Sequence, residues 1–450
     1  MTLLRYAACV LGLAATTVWA QESHESQETP PRLDYRVELG LEHNDNVNLN
    51  EEDPKSDDIL TPAFGFTYRQ GGSVVQAHVD GVLTYRDYLH GTFGDDLRSQ
   101  IGGHVNWTMV PDRVNFVFED YLGIEPVDTL QVDSPANQQQ TNVFGLGPTF
   151  DFRFGSAARG AVELRYVNSY AEVSDQFDSN RYVGAFRVLR DLSSTSLVSG
   201  NVEAQHIDFI HDIGGPSFDR YNLFGRYVQT LRQFEYSADL GWNWIHSGFP
   251  LGDHNAPLAR FTVGYHATER SRFDLIGAYQ YSDAATDLLE TVQTNLSPTR
   301  VLTEIPTSIP TGAAVVSPQP YLETNFLLLY GFHEVLWTFD ISAHYQKLDY
   351  LNSLSSPFGG SSQILRGFDS ELGYNFNPQI TAGVLGIVEN ADYPGIDRVD
   401  HNWTTGLFFR QTLTPHWSWN AEYTFYKRNS NAVGQDVEQN IIFASISYTR

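Results

Sequence analysis

The segment Asn440-Ile441-Ile442-Phe443-Ala444-Ser445-Ile446-Ser447-Tyr448-Thr449-Arg450 decides how this chain is read. Ile442, Ala444, Ile446 and Tyr448 share one face, and the opposite face ends in Ser445, Ser447 and Thr449. The preceding segment repeats the pattern, with Trp417, Trp419, Ala421, Tyr423 and Phe425 alternating with Ser418, Asn420, Glu422 and Thr424. Successive residues of a strand point to opposite sides, so this alternation makes one apolar and one polar surface. Repeated in segments of about ten residues with aromatics toward the ends, it marks a transmembrane β-barrel. The apolar face then points to lipid and the polar face to the interior.

Upstream segments agree. Tyr236, Ala238, Leu240, Trp242 and Trp244 alternate with Glu235, Ser237, Asp239, Gly241 and Asn243. Trp337, Phe339, Ile341, Ala343 and Tyr345 alternate with Thr338, Asp340, Ser342, His344 and Gln346. Val75, Ala77, Val79, Gly81, Leu83 and Tyr85 alternate with Gln76, His78, Asp80, Thr84 and Arg86, with Val82 as the exception. Candidate strands fall near 34–43, 57–69, 73–88, 95–107, 113–124, 141–154, 159–172, 179–190, 196–208 and 218–231. The series continues near 234–246, 257–268, 271–283, 321–332, 334–349, 363–376, 379–392, 397–413, 416–428 and 437–449. The expected fold is all-β, an antiparallel up-and-down transmembrane barrel of outer-membrane type with about 20 strands, between about 18 and 22. A soluble sandwich or propeller would have to bury one face of every strand, and no blade-length repeat is present.

Tight turns read Gln70-Gly71-Gly72, Arg232-Gln233, Asn377-Pro378-Gln379 and Thr414-Pro415-His416. Longer polar loops fall near 44–56, 125–140, 209–217, 247–256, 284–320, 350–362 and 429–436. Short turns on one side and long loops on the other match the two sides of an outer membrane. Both termini are then expected in the periplasm. The longest loop, 284–320, carries Pro298, Pro306, Pro310, Pro318 and Pro320 and shows no alternation. It either extends outward, folds into the lumen, or hides a hairpin in Val301 to Val316.

Residues 1–20 have the pattern of a secretory signal, with Arg5, the mostly apolar run Tyr6 to Val18, and Val18-Trp19-Ala20 before the cleavage site. Residues 21–32 are expected to be a short periplasmic tail with Pro30-Pro31, and residues 33–450 the barrel. No later stretch has the roughly 18 apolar residues of a spanning helix. Cys9 is the sole cysteine, so stability must come from closed backbone hydrogen bonding rather than disulfides. With 28 basic against 54 acidic residues the net charge is −26, which argues against nucleic acid as a partner. Lys55, Lys347 and Lys427 are the only lysines, so arginine carries most of the positive charge. Arginines on polar faces build interior salt-bridge ladders or, alternatively, a field that orients a solute.

The stretch Gly40-Leu41-Glu42-His43-Asn44-Asp45-Asn46-Val47 runs from an alternating strand into an acidic-amide corner, followed by Ser56-Asp57-Asp58 and a strand. After a Gly-rich turn the next strand ends Leu83-Thr84-Tyr85-Arg86-Asp87-Tyr88. Over about residues 35–90 this resembles the β-barrel porin 2 family and its branch associated with exosortase (PEP-CTERM) and exopolysaccharide loci. The resemblance implies a Gram-negative outer-membrane barrel, some relatives of which lie near genes for making or exporting polysaccharide. One departure is the end Tyr448-Thr449-Arg450, where many outer-membrane barrels finish on an aromatic residue.

Chemical candidates are sparse. Asn44-Asp45-Asn46 with Glu51, Glu52, Asp53, Asp57 and Asp58 supplies oxygen ligands, but the spacing is not that of an EF-hand, and a solvated loop fits equally. His206 and Asp208 share a side of one strand with His211 nearby, the residue types of a hydrolase at the rim. No G-x-S-x-G or H-E-x-x-H motif accompanies them, so no enzyme is expected. Trp107, Trp242, Trp244, Trp337, Trp403, Trp417 and Trp419 fit membrane-interface anchoring, whereas Phe224 and Tyr426 on polar faces are better placed as a sugar slide. The pore-lining candidates are Asp80, Arg86, Glu163, Arg165, Glu203, Arg220, Arg226, Glu235, Asp239, Asp340 and Glu422. The leading expectation is a passive porin-like channel for hydrophilic solutes, with saccharide cargo implied by the resemblance. A structural or docking barrel of a polysaccharide-export system, its lumen closed by 284–320 or by packed side chains, is the alternative. A rim hydrolase is third. No metal or cofactor is implied. The expected partners are outer-membrane lipid and lipopolysaccharide, the barrel-insertion machinery, and polysaccharide or export-system proteins.

Overall fold

The computed structural model describes residues 29–155, 158–211, 215–295, 316–351 and 362–450. The signal segment, residues 21–28 of the tail, and residues 301–315 of the hairpin alternative lie outside the described residues. The first ten strands are β1 (Thr29–Asn44), β2 (Asp57–Gly71), β3 (Val75–Tyr88), β4 (Asp96–Val110), β5 (Val114–Pro126), β6 (Gln138–Phe154), β7 (Ala158–Ala171), β8 (Ser179–Ser193), β9 (Ser196–Phe209) and β10 (Phe218–Thr230). The next three are β11 (Phe234–Ser247), β12 (His254–Thr268) and β13 (Ser271–Ser282), followed by the helix α1 (Ala284–Asn295). The remainder are β14 (Tyr321–His333), β15 (Trp337–Tyr350), β16 (Ser362–Asn377), β17 (Ile380–Tyr393), β18 (Arg398–Thr412), β19 (Trp417–Ser430) and β20 (Val437–Thr449).

All twenty strands join one antiparallel sheet, each paired with its neighbours in sequence. The sheet closes through β1 and β20, in register from Arg36 opposite Thr449 to Asn44 opposite Ile441. Tyr35 and Arg450 exchange two further backbone hydrogen bonds, both 2.9 Å. Closure leaves no unpaired sheet edge, which in hydrocarbon would strand backbone polar groups without partners. Residues 29–32, expected in the tail, instead belong to β1, where Arg32 lies opposite Arg69 of β2.

Closure fixes the two faces. Val37, Leu39 and Leu41 point outward and are each about half exposed, while Glu38 and Glu42 point inward and are buried. Alternation carries this assignment round the wall: Leu240 on β11 stands 69% exposed outside, and Asp239 beside it is buried inside. A soluble protein has the opposite arrangement. One end of the barrel holds the short turns together with Thr29 and Arg450, and the other holds the long connections. Aromatic pairs ring the outside of the turn end, among them Phe234–Tyr265 at 4.3 Å, Phe273–Tyr330 at 4.4 Å and Trp337–Tyr374 at 4.6 Å.

The described part of 284–320 departs from an irregular outward loop. Residues 284–295 form α1, and they turn into the barrel. Asp283 caps the helix by accepting a hydrogen bond from the Thr286 N–H (3.2 Å), the usual way a carboxylate satisfies a first-turn donor. Ala284, Ala285 and Leu288 then lie on one helical face and pack against Val143, Val167, Ala171 and Phe177. The 127–137 connection also turns inward. Leu130 packs on the cluster of Tyr321, Leu348, Tyr350, Leu365, Ala391 and Tyr393. Its carbonyl accepts from Arg428 of β19 at 3.3 Å. Two connections therefore cross the loop end of the lumen from different sides.

Candidate functional site: the interior wall

The strand register puts every charged pore-lining candidate on the inner face, and ion pairs join many of them to neighbours. Asp80 accepts from Thr67 (2.5 Å) and lies 2.7 Å from His78. Arg86 reaches Glu42 at 3.1 Å and the Tyr88 hydroxyl at 3.3 Å. Glu163 and Glu203 flank Arg187 at 2.8 and 2.9 Å. Arg226 and Arg260 flank Asp239 at 2.7 and 3.0 Å. Asp340 pairs with His333 at 2.9 Å, and Glu422 accepts from Thr424 at 3.0 Å. Glu235 stands exposed at the turn end.

Arg165 has a different task. Its guanidinium donates to the carbonyls of Pro148 and Leu164, both at 2.9 Å, and to the Thr149 hydroxyl at 2.8 Å. Proline has no N–H, so it interrupts a ladder in the interior of a sheet. Arg165 supplies hydrogen bonds where β6 and β7 lose them.

Phe224 is inward but buried, and the Arg260 guanidinium lies 4.7 Å over its ring. That cation covers the face on which a sugar would stack, which removes Phe224 as a sugar slide. Tyr426 is inward and donates to Asn402 at 3.3 Å. All seven tryptophans of the barrel face outward by register.

The tightest polar site joins the wall to the inward-turned segment. Arg181 of β8 donates to Asp283 at 2.5 Å, and Arg220 of β10 donates to its other oxygen at 3.2 Å. Arg220 also donates to Gln205 of β9 (2.6 Å) and to Thr286 of α1 (3.2 Å). All three charged groups are buried. Burial pushes the Asp283 carboxyl up, but Arg181 and Arg220 outweigh it and hold it at about 2. One turn on, Asp287 accepts from Ser282 and from Tyr321, both at 2.5 Å. A second cluster lies at the same end, where Asp400 accepts from Arg398 (3.0 Å), Arg428 (2.5 Å) and Ser430 (2.5 Å).

Sequence parity singles out Arg220 but neither Arg181 nor their loop partners. Asp283 is expected as the last residue of the strand 271–283, but β13 ends at Ser282 and Asp283 caps α1. Asp287 lies in the stretch without alternation, where no face can be assigned. The signal available is local: an aspartate followed by Ala-Ala-Thr-Asp-Leu-Leu is a capped helix start.

The rim-hydrolase candidates stand apart from the interior. His206 and Asp208 do share a face, but it is the outer one, and His206 pairs with Asp219 of the next strand at 2.8 Å. Asp208 accepts from Ser217 at 2.9 Å. His211 lies 3.6 Å from Asp178. In the acidic corner, Asp57 accepts the N–H groups of His90 and Thr92, Asp58 pairs with His43, and Asp45 binds Asn440. Asp57 holds the connection after β3, Asp58 bridges β1 and β2, and Asp45 ties the corner to β20. Among the described residues no group of three or more His, Cys, Asp or Glu converges as metal ligands do.

No family model matches the chain, and no curated protein matches it. Among solved structures it is similar to the FrpB iron transporter of Neisseria meningitidis, at 9% identity and TM-score 0.47, over 94% of this chain and 83% of that one. It is also similar to OccK2 (OpdF) of Pseudomonas aeruginosa, at 10% identity and TM-score 0.39, over 93% and 97% of the two chains. OccAB4 of Acinetobacter baumannii aligns at 9% identity and TM-score 0.36, over 95% of this chain and all of the other.

Proposed function

We propose that the protein is an outer-membrane channel through which hydrophilic solutes pass passively. The observation that carries this reading is the inverted wall. Its outside is apolar and exposed, and its inside is an array of charged pairs. Such an outside is stable only against hydrocarbon. Inside, Arg226 and Arg260 keep about a quarter to a third of their side-chain surface open and Asp340 about half, as groups lining water do. Barrels of 16–18 strands already leave an aqueous channel, and this one has twenty. Thr29 and Arg450 lie at the turn end, which the outer-membrane reading puts toward the periplasm. The resemblance over residues 35–90 favours saccharide cargo, including exopolysaccharide fragments.

A second reading has a specific observation behind it. The 127–137 connection and α1 pack across the loop end, as they would in a structural or docking barrel with a closed lumen. Single-channel conductance of the refolded barrel in planar bilayers separates the two. Steady ohmic current that oligosaccharide blocks is the expected result. A silent bilayer with correctly folded protein sinks the channel reading.

A further inference from the structure

We propose that Arg181 and Arg220 form an anion-binding site at the loop end of the lumen, occupied in this structure by the chain's own Asp283 and suited to a carboxylate or phosphate group of a solute. The proposal rests on the channel reading for its use, though not for its chemistry.

The two arginines stand on β8 and β10, with Gln205 of β9 between them. Asp283 is the single carboxylate paired with either of them among the described residues. Among the described residues no acid of the wall pairs with them. The nearest inner-face acid along β9, Glu203, is engaged by Arg187 and Asn222. Compare Asp239, also held by two arginines: it is itself a strand residue and fixed in the wall. Asp283 instead belongs to the connection leading into α1. Were that connection to shift, two guanidinium groups would face the lumen without a counter-charge, and planar guanidinium forks match carboxylate and phosphate oxygens. Arg220 also has a buried Nε–H without a partner among the described residues, a donor that Asp283 leaves unused. A phosphate, with more acceptor oxygens than a carboxylate, has the means to engage it. Asp283 thus occupies its place as an internal mimic of an anionic ligand.

The alternative is that Asp283 merely anchors α1. Thermal unfolding of the refolded full-length chain distinguishes them, with inorganic phosphate, glucuronate and neutral glucose as probes. Asp283→Ala opens the site, and Asp283→Asn removes the counter-charge at constant side-chain volume if the alanine variant folds poorly. Phosphate and glucuronate are expected to raise the melting temperature of these variants by several degrees relative to wild type, and glucose is not. Adding Arg181→Gln to either variant should abolish the shift. Equal anion response in wild type and variants, or a shift that survives Arg181→Gln, overturns the proposal. A silent bilayer from phosphate-stabilised Asp283→Ala would remove the channel reading and leave the site. A conducting variant blind to phosphate would do the reverse.

Discussion

At the residue scale, the interior is organised by arginines shared between acids and acids shared between arginines. Asp239 is buried between Arg226 and Arg260, so removing its charge leaves two partly water-exposed cations without their counter-charge. Asp239→Asn is expected to cost about 1–3 kcal/mol, less than breaking a fully buried pair because both arginines keep part of their surface open. Denaturant unfolding in lipid vesicles measures it. A loss no larger than that of an exposed ion pair, about 0–1 kcal/mol, would mean that water already screens the site. Asp283 makes a pH prediction. Its folded value of about 2 lies below its ordinary 3.8. A depressed carboxyl contributes stability above its unfolded value and loses it as pH falls toward the folded one. The seat of α1 should therefore be intact at pH 5 and weaken between about 4 and 2. Asp283→Asn should be flat across that window when melting is followed against pH.

At the element scale, strand contacts leave little slack. A Cβ on Gly147 of β6 would overlap the carbonyl oxygen of Leu164, and one on Gly241 of β11 the carbonyl of Leu223. Both obstacles are backbone, so the strands themselves must separate. Gly147→Ala and Gly241→Ala are each expected to destabilise by about 1–3 kcal/mol, the cost of overpacking. Gly184, whose nearest neighbour would be the end of the Leu164 side chain at 3.8 Å, should accept alanine and serves as the control. For α1, Leu288 is the buried anchor. Leu288→Ala should weaken its seat by about 2–5 kcal/mol. The readout is higher mean conductance than wild type from a barrel that still folds. Unchanged conductance would show that α1 does not narrow the path.

At the scale of the molecule, the barrel is stable only if its solvent is lipid on the outside. Leu240 lies mid-strand on the outer face and is the most exposed leucine there. Leu240→Arg is expected to cost about 2–4 kcal/mol in a bilayer, as a cation near the midplane does. In a water-soluble barrel the same change would be close to neutral. Refolding yield into vesicles, followed by tryptophan fluorescence, measures the difference. Removing His206 or Asp208 on the outer face should leave conductance unchanged, since neither reaches the interior.

The sequence by itself determined the wall. Period-two alternation is a local property of extended backbone, so Trp417 to Phe425 declares its outer face without reference to any other strand. Twenty such segments, with short and long connections in turn, give the count, the pairing order and the side on which Asp80 or Glu422 falls. Only the tertiary structure decided the partners. His206 meets Asp219 across a strand pair rather than Asp208 along its own. Phe224 loses its open face to Arg260. Arg165 bonds carbonyls rather than lining a path. Asp283 crosses from a connection to two strands far away in sequence. Parity gives a direction for each side chain, but ion pairs depend on register and on how connections fold back. In α1 the spacing is helical, so period-two alternation carries no information about where that segment goes.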